Sequence, residues 1–439
     1  MITRSIPYQD PVLLYEALRS KNSILLESQK NGNNSYIALN PYQLFKSKGN
    51  TITITKNNKT TKKKGNPVEE LKKLISKHQV KRKQSQPLFY QGAIGYLGYD
   101  LVHHFEKLPR TAKDDLKLPD CYFIFPRDII HFDHKKKTAK IITKDKQRAD
   151  TIQKKIANHQ PSPESQPKKP KLKSNFTKIK YEQAIKKCKK YIEEGDSFQI
   201  KISQRFETEI KEDPFEIYKR LKTINPSPYA AFLELENFQV ISNSPEHLVK
   251  VQNNQVETRP IGGTYPRTNN KTNNQQLLKQ FKQDKKEQQE HNMLIDLERN
   301  DLGRVCKYGS IKVNEHKTIE HYSHLYHLVT NIQGKLQKNK DVFNTIQTMF
   351  PGGTITGCPK IRTMEIIDEI EPVTRNLYTG SIGFINFSNE MDFNIIIRTL
   401  IIKNNKGYIQ VGGGIVADSN PKKEYQETLD KAKAIIEAL

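Results

Sequence analysis

The sequence lacks any apolar run that could cross a bilayer. A membrane-spanning helix needs roughly 18 or more consecutive apolar residues, and no stretch approaches that. The N-terminal MITRSIPYQDPVLLYEAL has no apolar core of the kind a secretory leader requires. Both absences predict a cytoplasmic protein with no membrane partner. Cysteine is scarce: Cys121, Cys188, Cys306 and Cys358 stand apart and none belongs to a CxxC pair. That disfavours a disulfide framework or a thiolate zinc site, and reduced thiols fit the cytosol. A P-loop is also missing. Gly352 and Gly357 have its spacing, but Cys358-Pro359 follows where Lys-Ser/Thr would be needed. ATP hydrolysis is disfavoured for that reason. No internal repeat is visible.

Negative charge is in the minority, and the formal net charge is +25. Such an excess can mark a nucleic-acid partner. Here the lysines are spread over the chain and mixed with Asn and Gln, as in NNKTTKKKGN, and no recognition module accompanies them. The reading is a solvated basic surface with no nucleic-acid partner.

What is present suffices for one large or two ordinary domains: 439 residues, 35% hydrophobic. Residues 1–150 read as short strands between turns, among them NSILLES, SYIALNP, NTITITK, GAIGYLGYD, CYFIFPRDIIHFD and TAKIITK. Residues 151–175, rich in Pro, Ser and Lys, read as a linker. From 176 to 439 helices and strands mix. YEQAIKKCKKYIEEGD is helical, FQIKISQRFETEI is a strand, and Asp213-Pro214 caps a helix. LLKQFKQDKKEQQEHNMLIDLERNDL reads as one long helix. MDFNIIIRTLII and GYIQVGGGIVAD read as strands, and EYQETLDKAKAIIEAL as a last helix. Regular βαβ alternation is absent, so the fold class is α+β, with large antiparallel sheets and flanking helices.

Several patterns carry chemistry. Glu287 and Glu290 share one helix face, and Glu424 and Glu427 share another. A cation follows each pair, His291 and Lys431. Four converging carboxylates would hold Mg²⁺, which takes oxygen ligands and shares them with anions; the other reading is a solvated acidic face. FPGGTITGCPK and VGGGIVADS are glycine-rich segments beside strand ends. They are either tight turns or places where backbone N–H groups approach an anion. Arg398 interrupts an apolar strand, which requires either an internal ion pair or a ligand carboxylate. His327 stands in the apolar YHLVTNI, as a structural or a catalytic imidazole.

Longer strings go further. SPEHLVKV, ETRPIGGTYPR, EHNMLIDLERNDLGRVCKYGSIKV, HYSHLYHLVTNI, FPGGTITGCPK, YTGSIGFINF, MDFNIIIRTL and GGGIVADS with EYQETLDKAKA resemble, in order, those of the chorismate-utilising enzymes. ILLES, SYIALNP and GAIGYLGYD resemble the family's N-terminal part. The resemblance implies a sandwich of large antiparallel sheets and a site for chorismate with Mg²⁺. Glu290 and Glu427 would ligate the metal, supported by Glu287 and Glu424, and the metal would hold the ring carboxylate. Arg398, Tyr378 and the backbone at Gly412, Gly413 and Gly414 would hold the enolpyruvyl carboxylate, with Lys431 near the metal-bound group. Glu246 resembles the general acid that protonates the departing C4 hydroxyl, a poor leaving group otherwise. His327 resembles the histidine near the reacting ring, and Thr354 the residue lining the pocket.

Gln199 occupies the position where water-using relatives carry a lysine base. A neutral amide cannot deprotonate water, but ammonia needs no base, so the resemblance points to amination. GGTITGCPK, GSIGF and NPSPYAAFL look more like members that aminate C4 and retain pyruvate, en route to 4-aminobenzoate. The alternative is C2 amination with pyruvate loss, giving anthranilate. Many C4 members carry PIKGT, whose lysine attacks C2; here PIGGT puts Gly262 there, so a covalent route through that position is excluded. ILLES with Ser35 resembles a tryptophan-binding motif, but Ala230 replaces the methionine that usually follows NPSPY. The chain has no GxCxGxQ turn of a triad glutaminase, which implies a separate glutamine amidotransferase subunit supplying ammonia.

Overall fold

The computed structural model describes residues 1–29, 32–163, 165–167, 170–266, 271–321 and 325–439. Arg267 of ETRPIGGTYPR, Tyr322 to His324 of HYSHLYHLVTNI, and Glu164, Lys168 and Lys169 of the expected linker lie outside them. In chain order the first part holds β1 (Ile2–Ile6), α1 (Pro11–Leu18), β2 (Ser23–Glu27), β3 (Asn34–Lys48), β4 (Thr51–Lys56), β5 (Lys59–Lys64), α2 (Pro67–Ser76), β6 (Gly92–Leu97), β7 (Cys121–Asp133), β8 (Thr138–Thr143) and α3 (Lys146–Ala157). Next come β9 (Lys173–Ser174), α4 (Lys178–Glu193), β10 (Gln199–Glu209), α5 (Pro214–Ile224), β11 (Tyr229–Glu234), β12 (Gln239–Ser244), β13 (His247–Gln252), β14 (Gln255–Arg259), β15 (Ile261–Pro266), α6 (Lys271–Gln283) and α7 (Lys285–Gly303). The last part holds β16 (Lys312–His321), β17 (Leu325–Lys335), α8 (Val342–Met349), β18 (Gly357–Cys358), α9 (Lys360–Ile370), β19 (Ser381–Asn386), β20 (Met391–Asn394), β21 (Thr399–Lys403), β22 (Lys406–Ile415) and α10 (Pro421–Ala438).

An Asp or Asn before proline starts four helices. Asp10, Asn66, Asp213 and Asn420 each accept from a first-turn N–H, and proline follows where no N–H is needed. The stretch expected as one long helix is two, α6 and α7. Asp284 sits at the break, and its carboxylate accepts from Glu287 N at 3.2 Å, so it caps the second helix.

The strands form one continuous antiparallel ladder with two arms. The long strands β3 and β7 pair along their whole length, with a register shift between Pro41 and Gln43. One arm runs β2–β11–β12–β21–β22–β10. The other runs β7–β6–β19–β20–β13–β14–β17, with β15 and β16 also on β17. Their inner faces meet as a sandwich: Ile24, Leu233, Val240 and Ile401 of one arm pack in one cluster with Ile94, Tyr96, Ile382 and Phe384 of the other. The α+β class with large antiparallel sheets is what the structure shows.

The expected boundaries at 150 and 175 fall differently in the fold. Helix α3 runs through residue 151, with Ala149 and Ile152 buried. Strands β2 and β6, from the first block, hydrogen-bond to β11 and β19 of the second. Both blocks therefore build the same sandwich. Among the described residues no helix is long and apolar enough to cross a membrane.

Candidate active site

The ends of the two arms, with α7 and α10, enclose a cavity of about 570 Å³. Strands β10 and β22 supply one wall through Lys201, Gly412 and Gly414, and β15 and β17 supply another through Gly262, Gly263 and His327. Helix α7 contributes Glu287 and Glu290, and α10 contributes Glu424, Glu427 and Lys431. Glu246, Thr354, Tyr378 and Arg398 complete it. Twelve residues expected at the site thus line one space, although they come from segments up to about 190 positions apart in the chain.

The two ExxE pairs face this space from separate walls. Glu427 pairs with Lys431 at 2.6 Å, and Lys431 Nζ also donates to Gly412 O at 2.9 Å. Burial alone would raise the Glu427 pKa, but the Lys431 and Lys201 ammoniums hold it below the ordinary value. Glu424 is raised by burial, and its Oε1 accepts from Ser419 Oγ at 2.7 Å. Glu290 accepts from Gln199 Nε2 at 2.6 Å and stands 3.5 Å from Lys201 Nζ. Among the described residues no three His, Cys, Asp or Glu side chains gather closely enough to hold an ion as they stand. The donors are nonetheless all carboxylate oxygens. Glu424 Oε2 and Glu427 Oε1 also converge on one spot, 3.1 and 3.9 Å from where a Cβ on Gly413 would sit. That set fits a hard divalent cation that shares its remaining positions with an anion and water.

The glycines act through close approach. Gly412, Gly413 and Gly414 lie within β22, paired with Ser203, Ile202 and Lys201. A Cβ on Gly412 would stand 3.0 Å from the Tyr378 hydroxyl, and one on Gly414 would stand 3.0 Å from Gln199 Nε2. A side chain at any of the three would intrude on the cavity's polar groups.

Arg398 departs from the expected uninterrupted strand. β20 ends at Asn394 and β21 begins at Thr399, and Arg398 between them adopts φ 52°, in the left-handed region. Such a conformation costs on the order of 1–3 kcal/mol for a residue with a Cβ and needs support. Asn243 N donates to its carbonyl at 3.1 Å, and its own Nη1 donates to Lys431 O at 3.0 Å. Burial lowers its pKa. Among the described residues it forms no ion pair, so the guanidinium is held over the cavity with unused donors.

Glu246 sits between β12 and β13 and is only 6% exposed. Burial raises its pKa, partly offset by the Lys201 ammonium. Glu246 Oε1 and Thr354 Oγ1 are buried and make no hydrogen bond among the described residues. Two orphaned polar atoms on one cavity wall are the mark of a polar ligand. His327 Nδ1 lies 3.3 Å from Gly263 O. A carbonyl only accepts, so this contact places the ring proton on Nδ1.

Two expectations are corrected. Gln199 does not line the cavity; it stands behind Glu290 and orients that carboxylate. His291 is not a cation for Glu287. It is fully buried, bonded to Thr330 Oγ1 at 2.7 Å, and burial pushes its pKa down to about 4, so it is neutral. Lys201 was not anticipated. Its signal was the period-2 alternation of FQIKISQRF, which puts residues 199, 201 and 203 on one face while Ile200 and Ile202 face the core. Glu27, Ser28, Tyr229 and Ala230, from the ILLES and NPSPY segments, line a separate cavity of about 510 Å³. Ser35 Oγ accepts from Ser28 N at 3.0 Å beside it.

The fold is an antiparallel sandwich with a carboxylate-, arginine- and glycine-lined cavity at its end. The chain belongs to the chorismate binding enzyme family, whose model matches residues 21–437. It is 40% identical over 452 residues to aminodeoxychorismate synthase component 1 of Bacillus subtilis, covering 99% of this chain and 96% of that one. It is 39% identical over 458 residues to anthranilate synthase component 1 of Acetivibrio thermocellus, covering 98% and 93%. The solved anthranilate synthase component I of Streptococcus pneumoniae superposes with a TM-score of 0.83 at 32% identity, covering 99% of each chain.

Proposed function

We propose that this chain is the chorismate-aminating subunit of an aminodeoxychorismate synthase. It replaces the C4 hydroxyl of chorismate by ammonia, retains the enolpyruvyl group, and works in the cytoplasm with a separate glutamine amidotransferase. Amination is carried by Gln199 against Glu290, and C4 over C2 by the likeness of GGTITGCPK, GSIGF and NPSPYAAFL to C4-aminating members. By resemblance Gln199 takes the position of the lysine base of water-using relatives, and its neutral amide instead donates to Glu290, a carboxylate of the cavity. Ammonia is nucleophilic without a base.

Glu290 and Glu427 would hold Mg²⁺, with Glu287 and Glu424 beside them. Bound there, the ion would supply charge neutralisation for the ring carboxylate. Arg398 and Tyr378, with the backbone of Gly412 to Gly414, take the enolpyruvyl carboxylate; the spare donors of Arg398 suit a bidentate contact. Glu246, whose pKa burial raises, would give a proton to the C4 oxygen. The C4–O bond breaks as water leaves, and the N–C4 bond forms. The proton lost by the incoming nitrogen returns to the Glu246 carboxylate. His327, protonated on Nδ1, lines the same space and would face the reacting ring, and Thr354 would offer its hydroxyl beside Glu246.

A second reading, C2 amination with pyruvate loss to anthranilate, is favoured by Gly262, which supplies no lysine nucleophile at its position. Product identification separates them. The chain is incubated with chorismate, Mg²⁺ and ammonium at high pH. A product that yields 4-aminobenzoate only after a lyase is added supports C4 amination. Direct anthranilate fluorescence overturns it in favour of the second reading.

A further inference from the structure

Lys201 is a charge inside the cavity with no part in the chemistry above. Its backbone is fixed on both sides: its N–H donates to Thr356 O at 2.9 Å, and its carbonyl accepts from Arg375 Nη2 at 2.6 Å. Gly414 lies opposite it across the β10–β22 pair, and a Cβ there would collide with Lys201 Nζ. The missing side chain lets the ammonium cross the strand and enter the cavity. There it stands 3.5 Å from Glu290 Oε1. The same cavity is lined by Glu424 and Glu427 of the other acidic wall.

We propose that Lys201 is the resident counter-ion of Glu290, displaced when a divalent cation takes that carboxylate, and that this competition weakens the cavity's affinity for Mg²⁺. The inference rests on reading the cavity as an Mg²⁺ site. A cation entering beside Glu290 meets a positive charge a few ångströms away in a half-buried space, where like charges repel strongly. The long flexible lysine stem lets the ammonium withdraw. Removing the charge removes both the repulsion and the competitor.

The test is a calorimetric titration of the full-length chain with MgCl₂, without chorismate, in wild type, Lys201→Met and Lys201→Gln. Thermal melts followed by circular dichroism establish that each variant is folded, and Lys201→Gln decides the matter if the methionine variant is not. Mg²⁺ binding is expected to tighten about tenfold or more in the variants, with the half-saturating Mg²⁺ for turnover falling in parallel. Unchanged or weaker Mg²⁺ binding in a folded variant overturns the proposal and leaves the metal reading standing. No Mg²⁺ binding by any of the three proteins, with or without chorismate, overturns both.

Discussion

Gly262 and His291 are locked together. A Cβ on Gly262 would press into the His291 ring, overlapping Nδ1 and lying 3.0 Å from Cγ and 3.1 Å from Cβ. The ring is fully buried and bonded to Thr330 Oγ1 at 2.7 Å, so it has nowhere easy to go. The absence of a lysine at 262 is therefore a packing fact of this chain. Gly262→Lys is expected to destabilise the fold by about 1–3 kcal/mol, the usual cost of overpacking, and not to switch the product cleanly. Adding His291→Ala should recover part of the loss, because the two positions share one space. Thermal denaturation of the single and double variants checks this; purely additive losses would contradict it.

Glu246 is expected to act on the rate and not on binding. Glu246→Gln keeps the shape and removes the proton donor. Turnover should fall by about 10²–10⁴-fold, with KM for chorismate little changed. Steady-state kinetics decide, and a rise in KM with unaltered kcat would show a binding role instead.

The pH dependence of stability should carry the signature of Glu298. This carboxyl lies buried on α7, with Thr258 Oγ1 3.3 Å away. Burial, and then Asp301, push its pKa up to about 8 from an ordinary 4.5, with Lys360 and Thr258 opposing. Below 4.5 the group is protonated in both folded and unfolded chains. Between 4.5 and 8 the unfolded chain releases a proton that the folded chain keeps. The stabilisation is therefore full at low pH and lost as pH rises through 8. Glu298→Gln lacks this slope, so its melting temperature should gain on wild type between pH 5 and pH 9. Parallel profiles would contradict the shift.

Arg375 and Glu371 brace the strand that presents the site. They pair at 2.8 Å with side chains only 2% and 3% exposed, and Arg375 also reaches Lys201 O and Ile355 O. Glu371 Oε1 accepts from Ser203 N and Oγ on the same strand. Glu371→Gln strands a buried guanidinium and should cost about 3–5 kcal/mol. Glu371→Gln with Arg375→Met should cost less than the two single changes added, measured by chemical denaturation.

Much of this arrangement was legible in the chain and some was not. Strands with strict alternation or long apolar runs, TITIT of β4 and CYFIFPRDIIHFD of β7, read correctly because local pattern suffices for them. Helices α1 and α2 were missed among strands, being 8 and 10 residues long, although Asp10-Pro11 and Asn66-Pro67 carry the same capping signal as Asp213-Pro214. The pairing of β2 with β11 and of β6 with β19 joins segments some 200 or more residues apart, which no local pattern encodes. The expected site residues came from family motifs, and the fold brings most of them to one cavity. Spacing alone could not show that Arg398 turns left-handed, or that Gln199 stands behind Glu290.

The most direct test of the whole account is Mg²⁺-dependent turnover of chorismate by Glu290→Gln and by Glu427→Gln, one from each acidic wall. The account predicts that each folded variant, with a melting curve like that of wild type, makes no product at any Mg²⁺ concentration. Full activity in either would show that the two walls do not serve one ligand.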